Sequence, residues 1–191
     1  MGTVTDAPLQ LRQMTRAEFD AWLPRQAAGY AAKIVESGLM PAQAAYQQAA
    51  RDTARFFYDG FTTPGQLVFR VIAGKVPVGW LWLAVPGPDP DPRMAWVFQI
   101  EIEAVFRGRG YGRAAMRLAE AEARTRGMTS LGLNVHGQNT VARSLYESLG
   151  YEVMAQQMKK LVLRPRCSTR DSHSVLLLEQ AFDSRTGLRV N

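Results

Sequence analysis

The residues best placed for chemistry form one short run, Val105-Phe106-Arg107-Gly108-Arg109-Gly110-Tyr111-Gly112-Arg113-Ala114-Ala115. Glycines at the alternate positions 108, 110 and 112 remove side chains and would leave backbone N–H groups pointing outwards. An apolar, β-prone run precedes them over 94–102, and a helical pattern follows to 126. The glycines therefore fall on a strand-to-helix turn with the positive end of a helix dipole behind it. Such a turn is a cradle for a phosphate or pyrophosphate. Each charge-assisted amide–phosphate bond could supply roughly 1.5–3 kcal/mol. The same glycines could also serve a tight turn and nothing more. No Gly-Lys-Ser/Thr ending is present, so the run is not a Walker A loop. Gly110 to Ala115 fits the dinucleotide variant G-x-G-x-x-A. That reading wants an acidic residue about 20 positions on, at the end of the next strand, where this chain has Asn134. A nicotinamide-binding protein is thereby disfavoured.

A different pattern fits better. Arg107-Gly108-Arg109-Gly110-Tyr111-Gly112 matches Arg/Gln-x-x-Gly-x-Gly/Ala. A second segment, Asn139-Thr140-Val141-Ala142-Arg143-Ser144-Leu145-Tyr146-Glu147-Ser148-Leu149-Gly150-Tyr151, matches Asn-x-x-Ala-x-x-x-Tyr-x-x-x-Gly-Phe/Tyr. Together they resemble the GNAT superfamily of N-acetyltransferases. The resemblance is good over 66–162, loose over 1–65 and absent over 164–191. It implies an α/β (α+β) fold, with a mixed, mainly antiparallel central sheet flanked by helices. It implies acetyl-CoA as acetyl donor and direct attack by a primary amine in a ternary complex. Backbone groups at Ile100, Glu101 and Ile102 would hold acetyl-CoA. The amides of Gly108, Arg109, Gly110, Tyr111, Gly112 and Arg113 would hold its pyrophosphate, and Asn139 would bond the cofactor arm. Asn139 and Tyr146 are seven apart, about 10 Å along one side of a helix, so one arm could meet both.

Acetyl transfer needs a held thioester, an amine that loses a proton and a thiolate that gains one. By the resemblance Tyr146 gives that proton; its other reading is a core tyrosine at an apolar helical position. Glu101, strand-borne just ahead of the loop, is the candidate base, with Glu103 or a water chain as rivals and an exposed or salt-bridged glutamate as the bland alternative. Some relatives carry a glutamate on the following strand, where Asn134 cannot act as a base. His136 near that strand's end is either a relay or a loop histidine. A catalytically idle acyl-CoA-binding module of the same fold is the alternative to an enzyme. The acceptor, a small-molecule or peptide amine, is not specified by the sequence.

Composition sets the outer bounds. The 191 residues, 47% hydrophobic and 21% charged, suit one soluble globular domain, or one with an appendage. No apolar run approaches the ~20 residues needed to span a bilayer, and residues 1–10 carry no secretory pattern. The single cysteine, Cys167, forbids an internal disulfide and suits a reducing, cytoplasmic compartment. Two histidines and one cysteine cannot build a typical structural zinc site, and no metal is expected. The net charge of +6 comes from scattered arginines without a basic run or aromatic platform. That argues against nucleic acid and for a basic rim that would steer CoA phosphates. Neither a nucleic-acid nor a membrane partner is expected; a homodimer stays open.

The remaining elements must position these residues. A short strand is expected at 9–12, then a capping box of Thr15 and Glu18 opening a helix with Phe19, Trp22 and Leu23 at helical spacing. Pro24 is expected to kink or divide that helix; the pattern resumes through Tyr30 and Ile34 and stops at Gly38. Pro41 opens a second helix carrying Phe56 and Phe57. In the family this pair, 15–59, lines one side of the acceptor groove, where Tyr30 or Phe57 could touch substrate; otherwise these aromatics are core. Strands are expected at 66–73 and 76–85 around a Gly74-Lys75 turn, and at 94–103. There strict alternation puts Trp96, Phe98, Ile100 and Ile102 on one face and Val97, Gln99, Glu101 and Glu103 on the other. A helix over 113–126, a strand over 131–135, a helix over 140–149 and a closing strand over 151–163 complete a domain of residues 1–163. Residues 164–191 read as an extension of unknown role, with a short helix expected over 174–182.

Overall fold

The computed structural model describes residues 8–36, 40–156, 158 and 160. One compact unit runs to Glu152, and residues from Val153 form a second. In the first, five strands form one sheet in sequence order: β1 (Leu9–Gln13), β2 (Gln66–Ala73), β3 (Val76–Ala84), β4 (Met94–Ile102) and β5 (Ser130–Leu133). The first three pairings are antiparallel and β4–β5 is parallel. The helices are α1 (Arg16–Glu36), α2 (Ala42–Phe56), α3 (Tyr111–Thr125) and α4 (Thr140–Glu147). The mixed, mainly antiparallel sheet with flanking helices is as the sequence implied.

Helix α1 starts where its capping box dictates. Thr15 N–H donates to Glu18 Oε2 at 2.9 Å, and Glu18 N–H returns a bond to Thr15 Oγ1 at 3.3 Å. The helix then runs unbroken through Pro24, so the expected division is absent. Proline removes one N–H from the ladder, but Phe19, Trp22, Gln26, Ala31 and Ile34 keep one continuous buried stripe on either side of it. Residues 37–39, where the helix was expected to stop, lie outside the described residues.

Two cores sandwich the sheet. On the α3 side Val71, Val78, Leu81 and Leu83 pack against Ala115, Met116 and Ala119. On the α1–α2 side the core is aromatic: Phe19, Trp22, Phe57 and Trp82, flanked by Phe56, Trp80 and Phe98. Trp82 stacks on Phe98 at 4.5 Å and 25°, and Trp22 meets Trp82 edge-on at 6.1 Å, arrangements favoured by the ring quadrupole.

The strict alternation expected along β4 is wrong. The register slips between Trp82 and Leu83: Trp82 faces Gln99 and Leu83 faces Val97, so Phe98 is an extra residue. A bulge of this kind re-aims every later side chain. Ala95 and Val97 belong to the α3-side core, and Ile100 and Ile102 join that same side. Phe98 packs on the aromatic side. Glu101 faces Trp80 and Gln99 faces Trp82, so both carboxylate and amide look towards the α1–α2 side. Nor is there a closing strand in residues 151–156, which carry no strand pairing; residues 161–163 and the helix expected over 174–182 lie outside the described residues. Among the described residues, no helix is long and apolar enough to cross a membrane.

Candidate active site

The site begins where β4 loses a neighbour. Pairing with β5 covers only Met94–Val97 against Ser130–Leu133. Beyond the Phe98 bulge, β4 is paired on its β3 side alone among the described residues. One backbone edge of residues 98–102 is thus left open beside the apolar Ile100 and Ile102. Glu101, half-buried on the opposite face, has its Oε2 at 3.5 Å from Gln99 Nε2. Trp80 Nε1 and Gln99 Oε1 nearby are buried without a partner among the described residues. Glu103 is half-buried, and its N–H is committed to Val78 O at 2.9 Å.

A single tight turn, Ala104–Phe106, carries the chain from β4 to the glycines. Arg107 closes this turn: its Nε donates to Ile102 O at 2.8 Å. The contact was not anticipated from sequence, and it occupies one of the backbone groups expected to meet acetyl-CoA. Gly110 is the N-cap of α3 at φ 77° and ψ −3°, a left-handed conformation that only glycine adopts without strain. The N–H groups of Gly108, Arg109, Gly110, Gly112 and Arg113 donate to no protein acceptor among the described residues. A Cβ built at Gly108 or Gly110 meets no atom within 4 Å. The turn therefore presents unpaired donors to open space at a helix N-terminus, which suits an anion. Tyr111 contributes backbone only, because its ring is buried in the α3-side core. Beside the turn a concavity of about 450 Å³ is lined by Leu9, Gly110, Arg113, Ala114, Arg117 and Leu118. Arg113 also donates to Ser148 Oγ at 2.7 Å, tying the first turn of α3 to the end of α4. Arg109 lies over the Phe106 ring at 5.8 Å.

Asn139 caps α4. Its Oδ1 accepts from Ala142 N–H at 3.1 Å, while Nδ2 has no acceptor among the described residues. Tyr146 sits two turns later, half-buried against the α3-side core. Its hydroxyl has no partner among the described residues, and burial raises its pKa above the ordinary value. It stays protonated across the neutral range, as a proton donor must. Asn134 and His136 are both exposed after β5.

The helix pair places its two candidate substrate contacts differently. Phe57 is 6% exposed and belongs to the aromatic core. Tyr30 is 40% exposed, and burial followed by Asp52 raises its hydroxyl pKa. An apolar groove of about 340 Å³ between α1 and α2 is lined by Leu23, Pro24, Ala27, Ala50, Thr53, Ala54 and Phe57, and by none of the candidate catalytic or cofactor-binding residues. Among the described residues, no three His, Cys, Asp or Glu side chains cluster as metal ligands.

The described residues thus offer an open strand edge, an unpaired amide turn and a half-buried tyrosine on α4. Comparison with known proteins identifies the family. Residues 29–151 match the Acetyltransferase (GNAT) family, and the chain belongs to that family. Its structure is similar to YycN of Bacillus subtilis, classed as an acetyltransferase, with TM-score 0.75 and 26% identity over 82% of this chain and 99% of that one. It is also similar to an acetyl transferase of Pyrococcus furiosus, with TM-score 0.57 and 20% identity over 81% and 99% of the two chains. A third likeness is to the aminoglycoside N-acetyltransferase AAC(6')-Iy in complex with CoA, with TM-score 0.52 and 17% identity over 84% and 97%. No curated protein matches the chain by sequence.

Proposed function

We propose that this protein moves an acetyl group from acetyl-CoA to a primary amine by direct attack in a ternary complex. The observation that carries the reading is the parting of β4 from β5 after Val97, with Glu101 on the open segment and the unpaired glycine turn at its end. The open edge at Ile100 and Ile102, apart from the Ile102 carbonyl that Arg107 occupies, would bond the amide-bearing arm of CoA. The N–H groups from Gly108 to Arg113 would hold the pyrophosphate, with Asn139 Nδ2 as a further donor to the arm. That the same fold holds CoA in AAC(6')-Iy supports this use.

The amine nitrogen attacks the thioester carbon, a C–N bond forms and the C–S bond breaks. Glu101, on the far face of β4 from Ile100 and Ile102, receives the proton that the amine gives up, directly or through water. Tyr146 donates its hydroxyl proton to the departing sulfur and regains one from solvent. We take residues 1–163 as the catalytic domain and assign 164–191 no role.

The test is a panel of primary amines: amino acids, polyamines, aminoglycosides and peptides with a free N-terminus. Each is supplied with acetyl-CoA while released thiol is followed, and acetyl-CoA binding is titrated in parallel. Binding with amine-dependent thiol release is the expected result. Binding with no turnover on any amine would make the protein an idle acyl-CoA module, and absence of binding would remove the proposal.

A further inference from the structure

Helix α4 ends in a turn led by Gly150 at φ 88°. Gly150 N–H donates to Glu147 O at 3.0 Å, and Tyr151 N–H donates to Tyr146 O at 3.0 Å. This pair of bonds is the Schellman arrangement, which satisfies the last carbonyls and turns the chain back on the helix. Tyr151 is thereby returned to Tyr146, with ring centroids 5.8 Å apart and planes at 58°. An apolar contact at this position commonly accompanies the turn, and phenylalanine would make it equally well. The third contact needs the hydroxyl: Tyr151 Oη donates to Glu120 Oε1 of α3 at 3.3 Å. Burial, then the Glu120 charge and this hydrogen bond, hold the Tyr151 hydroxyl far above its ordinary pKa, so it remains a donor.

Tyr146 lacks such a tether. Its hydroxyl bonds nothing among the described residues, so within these it is packing that sets where it points. On one side that packing is Tyr151, which is fixed to Tyr146 through the backbone and to a second helix through Glu120. We infer that Tyr151, anchored by Glu120, is a positioning residue that holds Tyr146 in line with the sulfur it protonates. The inference rests on the proposed acid role of Tyr146. A general acid must come within roughly 2.6–3.2 Å of the atom it serves, and a misplacement of about 1 Å can cost ~10²-fold in rate. Removing the Tyr151 hydroxyl leaves the ring contact and releases only the tether, so a smaller loss follows.

The experiment measures kcat with the fastest amine of the panel, acetyl-CoA affinity and melting temperature for Tyr151→Phe, Tyr146→Phe, the double variant, Glu120→Gln and Glu120→Ala. Ring signals are followed by NMR on protein with ¹³C-labelled tyrosine, Tyr146 being identified by its loss in Tyr146→Phe. Tyr151→Phe should lower kcat by about three- to tenfold, leave acetyl-CoA affinity unchanged and shift or broaden the Tyr146 ring signal. It should add nothing in the Tyr146→Phe background. Glu120→Gln, which still offers an oxygen acceptor, should keep most of the rate, whereas Glu120→Ala should match Tyr151→Phe. An unchanged kcat or Tyr146 signal in Tyr151→Phe overturns the inference, as does an equal loss with and without Tyr146. A wild-type rate in Tyr146→Phe is a separate outcome: it removes the acid assignment itself, and the inference with it.

Discussion

The two halves of β4 share one strand and have opposite surroundings. From Met94 to Val97 the strand is paired with β5, and at Trp96 and Val97 with β3 as well, with Ala95 and Val97 in the core at 0% and 4% exposure. From Phe98 to Ile102 it keeps β3 and lacks β5, and no residue is fully buried. The first half binds the sheet together. The second carries Glu101 and leads into the glycine turn. A paired backbone edge has nothing to offer a ligand, whereas an unpaired edge with apolar residues beneath it can bond an extended, amide-bearing chain. One inserted residue, Phe98, stands between stability and chemistry. Substitutions in the closed half should therefore damage folding, and those in the open half should damage turnover.

The largest effect is expected at Glu101. Glu101→Gln keeps size and nearly keeps shape, so melting should hardly move. Turnover should fall by about 10²–10⁴-fold if the carboxylate is the base. The deficit should be greatest at low pH and shrink at high pH, where more amine is already deprotonated. A uniform loss at every pH would instead mark Glu101 as a binding or structural residue.

Leu83 gives the opposite case, since it faces Val97 in the closed half and is 0% exposed. Leu83→Ala should cost about 2–5 kcal/mol of stability through lost burial and a cavity. Acetyl-CoA affinity, measured by calorimetry well below the melting temperature, should be retained. A variant with wild-type stability would mean that the closed half is not the structural one.

Gly110 tests the turn at the end of the open half. With φ at 77° a non-glycine residue is strained by roughly 1–2 kcal/mol, yet its Cβ would touch no protein atom. Gly110→Val should therefore fold, somewhat destabilised, and bind acetyl-CoA about tenfold more weakly or worse, a loss equal to roughly 1.4 kcal/mol. Wild-type affinity would dissociate the cradle from the cofactor.

The smallest effect lies away from both halves. The Glu18 carboxyl is held by the Arg12 guanidinium at 2.7 and 2.9 Å and by Thr15 N–H, which lowers its pKa from 4.5 to about 2. A folded value below the unfolded one means that the stabilisation is complete above about pH 4.5 and is lost as pH falls towards 2. Thermal melts of wild type and Glu18→Gln should differ modestly at neutral pH and converge through that window, with acetyl-CoA affinity equal. A constant difference down to pH 2 would assign the effect to packing or to the cap.

What could be read in advance follows from how local the cause is. The Thr15–Glu18 box, the hairpin around Gly74-Lys75, strand β2 and the glycine turn depend on residues within a few positions of one another, and each stands where its pattern puts it. Pro24 does not divide α1, because its local penalty is outweighed by a buried stripe extending on both sides. The faces of β4 misled because nothing in Trp96-Val97-Phe98-Gln99 marks an extra residue. The slip is visible only against Trp82 and Leu83. The contacts of Arg107 with Ile102 O, Arg113 with Ser148 and Tyr151 with Glu120 join residues 5, 35 and 31 positions apart, and the last two had no signal in a pattern read along one element.

The sequence by itself determined the family, the turn that presents unpaired amides and the tyrosine two turns beyond Asn139, because spacing along a helix or a turn is a property of the chain alone. Tertiary structure decided which way Glu101 faces, where β4 and β5 part and what holds the Tyr146 ring. Each of those depends on the register or packing of segments far apart in the chain, and a single residue of register is enough to exchange the two faces of a strand.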